Sequence, residues 1–194
     1  MSEIEILVSF DNTKEEVLKI LEQFEYIGDK ENYDTYYIDP LRDDLKPEDD
    51  LRLNSSFRIR RDKAGCYITY KKQHFDGKTW LYSSEHETHA NDYKVLEEIV
   101  GMLGYEELIV VHNKRRVYHN GEYEICFEEV MDLGIFLEVE KVVEETGIDI
   151  EKIKDEIRKF ISMLGLNNVR ELNVGKNQML LAKKLGKTDL ELYI

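Results

Sequence analysis

The chain opens with a regular alternation of charged and apolar residues. In Glu3-Ile4-Glu5-Ile6-Leu7 the two carboxylates fall on one side and the two isoleucines on the other. A two-residue period is that of a β-strand, in which successive side chains point to opposite faces. The opening stretch therefore predicts a strand with one carboxylate face and one apolar face.

The same alternation recurs further along the chain, separated by turn signals. Asp76-Gly77 lies in a predicted loop, and Asn120-Gly121 is a strong hairpin signal. The segment 41–54 is charged, contains Pro47, and is predicted to be a long surface connection. The further predicted strands span about 33–38, 56–61, 67–71, 80–89, 108–119, 123–130 and 135–141.

Helical periods appear between and after these strands. The first begins with a capping box at Thr13 and Glu16, and the second closes at Gly104. The predicted helices span about 13–25, 92–103, 150–164 and 175–185. Because these helices are amphipathic, we expect them to cover the apolar face of the sheet. The whole chain, 1–194, is predicted to be one α+β domain, with a patternless tail over 186–194 that frays.

Composition narrows the classes of partner. A net charge of −14 over 194 residues disfavours a broad surface for nucleic acid or for an anionic membrane. The chain has no apolar run of membrane-spanning length and no lipidation signal. Two cysteines, Cys66 and Cys126, and no signal-like start favour a reducing compartment. We expect a cytoplasmic protein, with a homodimer as the default oligomer.

The strand charges are segregated by sign. Acids pair at every second position on three strands and bases on two others, whereas an ordinary solvated face mixes both signs within a strand. A sheet with one solvated face explains any single strand, but all strands together favour an antiparallel β-barrel of about eight strands with a polar lumen. The acids are Glu3, Glu5, Glu85, Glu87, Glu138 and Glu140, and the bases are Arg58, Arg60, Lys71, Lys114 and Arg116.

Such a lumen has a plain chemical use. Paired carboxylates hold Mg²⁺ or Mn²⁺, and arginine and lysine side chains hold phosphate oxygens. Buried carboxylates would otherwise repel one another and take up protons. The six acids are therefore predicted to be metal ligands and the five bases to be phosphate ligands for a polyphosphate that enters with its metal ion.

Taken in order, these residues resemble the motifs of the CYTH family, which joins class IV adenylyl cyclases, thiamine triphosphatases and inorganic triphosphatases. The resemblance covers residue 3 to about 165. The matching motifs are Glu-x-Glu at Glu3 and Glu5, alternating arginines at Arg58 and Arg60, Thr-x-Lys at Thr69 and Lys71, Glu-x-Glu at Glu85 and Glu87, Lys-x-Arg at Lys114 and Arg116, and the Leu-Gly-x-Phe-x-Glu-x-Glu ending that finishes with Glu138 and Glu140.

The resemblance implies an eight-stranded antiparallel triphosphate tunnel with helices packed outside, holding a triphosphate and a divalent metal. Segments 33–37 and 134–138 look closer to the class IV adenylyl cyclases, which convert ATP to cyclic AMP and pyrophosphate. Hydrolysis of thiamine triphosphate, inorganic triphosphate or a nucleoside triphosphate is the alternative, and a non-catalytic module that binds a nucleotide or polyphosphate is another. No dedicated nucleophile is expected, because positioning and charge stabilisation, here by Arg58 and Lys114, carry most phosphoryl chemistry.

Five positions depart from the family pattern. Leu7 stands where the opening motif has lysine, Ser83 where a base often precedes Glu-x-Glu, and Glu128 where aspartate is common. Asn177-Gln178 is the counterpart of a Ser-Tyr pair near the carboxyl terminus. The first two departures remove positive charge from the phosphate end, which motivates the hypothesis of a binding module.

Overall fold

The computed structural model describes residues 2–77, 79–143, 149–187 and 192. Its helices are α1 (Lys14–Leu21), α2 (Tyr93–Met102), α3 (Ile150–Met163) and α4 (Lys176–Leu185). Its strands are β1 (Ser2–Ser9), β2 (Glu25–Ile38), β3 (Ser55–Arg61), β4 (Cys66–Asp76), β5 (Thr79–Ala90), β6 (Glu106–His119), β7 (Glu124–Val130), β8 (Gly134–Val143) and β9 (Arg170–Glu171).

The strands form one antiparallel sheet that closes on itself. Their order is β5-β4-β3-β2-β6-β7-β8-β1-β9. A short pairing between β1 and β5, with Glu3 opposite Ser83, completes a ring of eight strands. The two-residue strand β9 adds to the other end of β1, with Val8 opposite Glu171. The predicted eight-stranded antiparallel tunnel is therefore confirmed as a ring-like sheet.

The register places the charged faces of the strands on one side. Glu5 lies opposite Glu140, Lys71 opposite Glu85, and Asp34 opposite Arg60. Directly opposed residues of antiparallel strands point to the same face of the sheet. Most of the segregated charges therefore lie on one face of the sheet, which lines the inside of the ring.

The outer face is apolar and is covered by helices. Ile4, Ile6 and Leu137 pack with residues of α1 and α3, and all are 1% exposed or less. From α3, Ile157 joins this core, and α1 contributes Leu21. Burial of each such side chain is worth about 1.5–3 kcal/mol, so this outer core holds the curved sheet together. Helix α2 packs separately, with Val100 beside Ile59 and Tyr37.

Helix α4 closes one end of the ring. Its Met179 packs with inward-facing residues, among them Leu7, Val111 and Phe136. The residues at its amino-terminal end, Gly175 to Asn177, line the interior. The predicted helix over 175–185 is confirmed, but its place inside the end of the ring was not predicted.

The predicted boundaries hold to within about two residues except at β4, which runs on to Asp76, and around the first helix. Thr13 and Glu16 form the predicted capping box, yet the helix ends at Leu21 and β2 begins at Glu25. The apolar pattern in the sequence continues at helical spacing as far as Phe24 because the Phe24 ring packs on Phe160, with 5.7 Å between the ring centroids. The first half of β2 is polar and has a bulge at Gly28, so it lacks the alternation that marks a strand.

The remaining expectations concern the chain as a whole. Cys66 and Cys126 are both free thiols, and both are buried. The tail predicted to fray, 186–194, lies outside the described residues apart from 186, 187 and 192. No helix in the described part of the chain is long and apolar enough to span a membrane.

Candidate functional site: a charged tunnel

The interior of the ring is a cavity of about 510 Å³. Within the described residues, eight carboxylates and six cationic side chains line it. The carboxylates are Glu3, Glu5, Asp34, Glu85, Glu87, Glu124, Glu138 and Glu140, and the cations are Lys30, Arg58, Arg60, Lys71, Arg115 and Lys176. When all of them are ionised, the carboxylates outnumber the cations, so a polyanion is accommodated better together with a divalent cation than alone.

Three carboxylates form a cluster on the β1–β8 side of the cavity. Glu3, Glu5 and Glu140 each offer an oxygen atom, and these atoms lie within 4.8 Å of one another. Glu5 and Glu140 are adjacent because the strand register pairs them, and Glu3 follows on the same face of β1. Three hard oxygen donors at this spacing fit Mg²⁺ or Mn²⁺.

The protonation of this cluster reflects its crowding. Burial raises the pKa of Glu140 to about 8, with repulsion from Glu3 and Glu5 adding to the effect. Burial likewise raises the pKa of Glu3 to about 7, although Lys71 opposes the rise. The pKa of Glu5 is also raised, first by burial and then by Glu138. A bound divalent cation would reverse these shifts, because it stabilises the ionised carboxylates.

The opposite wall carries bases that are paired with carboxylates. Arg60 donates two hydrogen bonds to Asp34, at 2.7 and 2.8 Å. Arg58 lies 3.3 Å from Asp34 and 3.1 Å from Glu85. Burial opposes the ionisation of Asp34, yet the two arginines outweigh it and lower its pKa to about 2. The planar arginine groups are thus fixed in the orientation from which they could receive phosphate oxygens.

Lys71 joins the two walls. Its Nζ lies 2.9 Å from Glu85 Oε2 and 3.3 Å from Glu3 Oε2. The predicted metal ligands Glu85 and Glu87 are therefore engaged with bases and hydroxyls instead of facing one another as a free pair. Glu87 accepts a hydrogen bond from Thr69 Oγ1 at 2.8 Å and lies 3.7 Å from Arg58.

Glu138, also predicted to be a metal ligand, is paired with two cations. Its carboxylate pairs with Arg115 and lies 2.6 Å from Lys176 Nζ. Burial opposes ionisation, but Lys176 and Arg115 outweigh it and hold its pKa at about 2. Glu138 lines the cavity beside the three-carboxylate cluster without belonging to it.

Two of the predicted phosphate ligands lie outside the tunnel. Lys114 points outward with its side chain 57% exposed, and Arg116 pairs with Asp29 on the outer surface. The prediction that they face the lumen is wrong, because the inward phase of β6 runs through Asn113 and Arg115. Arg115 takes the inward place, pairing with Glu128 at 2.6 Å. The consecutive bases on β6 place a cation on each face of the strand. The alternation alone therefore could not show which of these cations faces the lumen.

Comparison with known proteins decides the family. Residues 1–173 match the family model of the CYTH domain. The chain belongs to the CYTH family.

Two relatives of this CYTH protein, one of them named a putative adenylate cyclase, match most of its length. "Putative adenylate cyclase MJ0240" from Methanocaldococcus jannaschii is 27% identical over 169 residues, which cover 86% of this chain and 91% of that protein. The structure of PH1819 from Pyrococcus horikoshii is similar with a TM-score of 0.76 and 26% identity, covering 93% of this chain and 99% of that one.

A plant structure shares the fold at lower identity. HpAC1 from Hippeastrum, named a "putative adenylyl cyclase" and described with a dominant triphosphatase activity, has a TM-score of 0.63 and 16% identity, with full coverage of both chains. At this identity the likeness concerns the fold alone.

The CYTH lysine position is filled by an inward-facing apolar side chain. Leu7 is 8% exposed and packs with Val111, Val130 and Phe136. Its neighbour across the β1–β8 pair is Glu138. The ammonium group beside Glu138 comes instead from Lys176 of α4, whose Nζ lies 2.6 Å from both Glu128 and Glu138. A cation therefore reaches this end of the tunnel from a different element of the fold.

Lys176, Asp34 and Arg115 were missed by sequence reasoning. Lys176 begins a helix, where the strand alternation gives no signal. Asp34 did carry a signal, because it alternates with Tyr36 on a predicted strand and lies on the same face of the sheet as Arg58 and Arg60.

The carboxylate cluster predicts a pH-dependent stability. Without metal, the pKa in the folded state is about 7 for Glu3 and about 8 for Glu140, whereas the ordinary pKa of a glutamate side chain is 4.5. The folded state thus binds more protons above pH 4.5, so the free energy of unfolding should fall as pH rises from 5 to 8. Each carboxyl contributes up to about 1.4 kcal/mol per pH unit until the pH passes its folded-state pKa, about 7 for Glu3 and about 8 for Glu140. Chemical denaturation at several pH values measures this slope.

Two variants and added metal sharpen this test. Glu140→Gln should flatten the slope, whereas Glu98→Gln, at an exposed position of α2, should not. Mg²⁺ or Mn²⁺ should stabilise the wild type most at pH 8 and Glu140→Gln much less. A stability that does not change between pH 5 and 8 without metal would contradict the described cluster.

The position of Lys176 predicts a second effect on stability. Lys176→Met leaves two buried carboxylates with Arg115 as their nearest remaining partner, and should lower the free energy of unfolding by about 3 kcal/mol. Lys184→Met, at an exposed position of the same helix, is the matched control. Equal stability of the two variants in urea denaturation would show that Lys176 does not occupy the tunnel.

Proposed function

We propose that this CYTH protein is an enzyme that binds a triphosphate in its tunnel together with Mg²⁺ or Mn²⁺ and cleaves it. The observation that carries the proposal is the opposition of two kinds of side chain across one cavity. The oxygen cluster of Glu3, Glu5 and Glu140 lies on one side, and the guanidinium groups of Arg58 and Arg60 lie on the other.

The residues divide into two working sets. Glu3, Glu5 and Glu140 would hold the cation, which when bound neutralises negative charge on the phosphate oxygens. Arg58, Arg60 and Lys71 would bind those oxygens from the opposite wall. At the closed end, Arg115 and Lys176 would do the same. Each of these bases is already paired with a carboxylate, so phosphate would compete with an existing partner for a preoriented donor.

The favoured reaction is that of an adenylyl cyclase. The ribose 3′ hydroxyl of ATP would attack the α-phosphate, and pyrophosphate would leave. Two features support this choice: the naming of the 27% identical archaeal relative, and the likeness of segments 33–37 and 134–138 to the class IV cyclases. The protein's task in either reaction is to align the chain of phosphates and to stabilise its charge.

A triphosphatase is the second candidate. In that reaction water attacks the terminal phosphate and orthophosphate leaves. HpAC1, which shares the fold, is described with a dominant triphosphatase activity. The residues that bind metal and phosphates would be the same, and the reaction would depend on which group lies in line with which phosphorus atom.

A non-catalytic binding module is the third reading, motivated by Leu7 and Ser83. Lys176 weakens that motive, because it brings an ammonium group to within 2.6 Å of Glu138, the residue opposite Leu7.

Product analysis tests the proposal. With Mg²⁺ or Mn²⁺, we expect ATP to yield cyclic AMP and pyrophosphate, whereas orthophosphate from ATP, thiamine triphosphate or inorganic triphosphate would identify a triphosphatase. Glu5→Gln and Arg58→Ala should each lower turnover about a hundredfold, because Glu5 would hold the cation and Arg58 supplies positive charge to the phosphates in the transition state. Lys94→Ala, at an exposed position of α2, should leave it unchanged.

Tight binding of all three ligands with no product would identify a binding module, and unchanged turnover in both tunnel variants would contradict the tunnel assignment.

A further inference from the structure

A second cavity adjoins the tunnel at its α4 end. It has a volume of about 110 Å³ and shares wall residues with the tunnel, including Gln73, Lys176 and Asn177. A molecule held in the tunnel could therefore extend into this side cavity. Its size is of the order of the roughly 150 Å³ apolar cavity that accepts a benzene ring.

The wall of the side cavity is more apolar than that of the tunnel, although charged residues such as Arg52, Glu171 and Lys176 also line it. Phe75 and Trp80 lie opposite each other in the β4–β5 pair. The other apolar lining residues are Ile6, Leu7, Leu53, Leu172 and Val174. The aromatic and aliphatic part of this wall offers a planar ring both burial and stacking, which it does not offer to charged phosphates.

The aromatic side chains are held in place by cations and by a hydrogen bond. The guanidinium of Arg52 lies 4.5 Å from the centroid of the Phe75 ring. Lys154, which is 1% exposed, donates to the Trp80 carbonyl at 2.5 Å, and its Nζ lies 4.7 Å from the Trp80 ring. Burying a lysine is costly without partners, so the hydrogen bond stabilises the buried ammonium group. The same bond ties Trp80 to α3.

A polar group is placed where the two cavities meet. Gln73 Oε1 accepts from Trp80 Nε1 at 2.6 Å and from Ser83 Oγ at 2.8 Å. These two hydrogen bonds orient the Gln73 amide so that its nitrogen can donate to a ligand. Among the described residues, no side-chain hydrogen bond uses that nitrogen. Ser83, which stands where the family often has a base, thus orients the amide of Gln73.

We propose that the side cavity binds the heteroaromatic ring of an organic triphosphate whose phosphates lie in the tunnel, with Gln73 donating to an acceptor on the ring. This inference rests on the proposed function and narrows it. The ligand class is a nitrogen heterocycle joined to a triphosphate, such as a nucleotide, and inorganic triphosphate would leave the side cavity unused.

The chain itself supplies a probe for this proposal. Trp80 is the single tryptophan in the sequence, so tryptophan fluorescence reports on the side cavity alone. With Mg²⁺, a non-hydrolysable ATP analogue should quench Trp80 emission by stacking nearby, and inorganic triphosphate at saturation should change it far less. Equal quenching by both ligands would argue against a ring in the cavity.

Calorimetric titration of variants separates this proposal from the proposed function. Phe75→Leu removes a stacking surface, and Leu53→Phe fills the cavity. Each should weaken binding of the ATP analogue about tenfold and leave inorganic triphosphate unchanged. Tyr26→Leu, an exposed aromatic residue lining neither cavity, is the matched control. Arg58→Ala should weaken both ligands, because both place phosphates in the tunnel.

Each outcome has one meaning. If Arg58→Ala weakens both ligands but the folded cavity variants affect both equally or neither, the side-cavity proposal is overturned and the proposed function stands. If Arg58→Ala changes neither ligand, the proposed function fails. Two cavity variants, one smaller and one larger, are used so that loss of folding in one of them leaves the other to decide.

Discussion

Opposite charges paired across neighbouring strands allow this ring to keep a charged interior. An isolated charge inside a protein costs several kcal/mol, and a pair with good geometry recovers much of that cost. Asp34 between Arg58 and Arg60 is one such group, and Glu138 between Arg115 and Lys176 is another. The antiparallel register places Asp34 beside Arg60, and helix α4 brings Lys176 to Glu138.

One group of charges lacks this compensation. Glu3, Glu5 and Glu140 lie together with Lys71 as the nearby base, and their pKa values are raised where those of Asp34 and Glu138 are lowered. A protein that buries carboxylates side by side stores an unfavourable interaction that a divalent cation relieves. The contrast between compensated and uncompensated carboxylates is what distinguishes the candidate metal ligands from the other acids of the tunnel.

Much of this arrangement could be predicted from the sequence, because period-two alternation reports directly on strand faces. The ring of eight strands, the covering helices, and the inward placement of Glu5, Arg58 and Lys71 all follow from it. The alternation could not decide between Lys114 and Arg115, since β6 carries a cation on both faces. It could not identify Lys176 either, because this residue belongs to helix α4, and a helix does not have the two-residue period of a strand. The roles of Glu85 and Glu138 depended on three-dimensional partners that no local pattern specifies.

The most direct test of the account is a crystal structure with Mn²⁺ and a non-hydrolysable ATP analogue, using the anomalous signal of manganese to locate the ion. The account predicts a manganese peak within coordination distance of Glu3, Glu5 and Glu140, with the phosphates between that peak and Arg58. A manganese ion bound away from these carboxylates, or phosphates bound outside the ring, would contradict it.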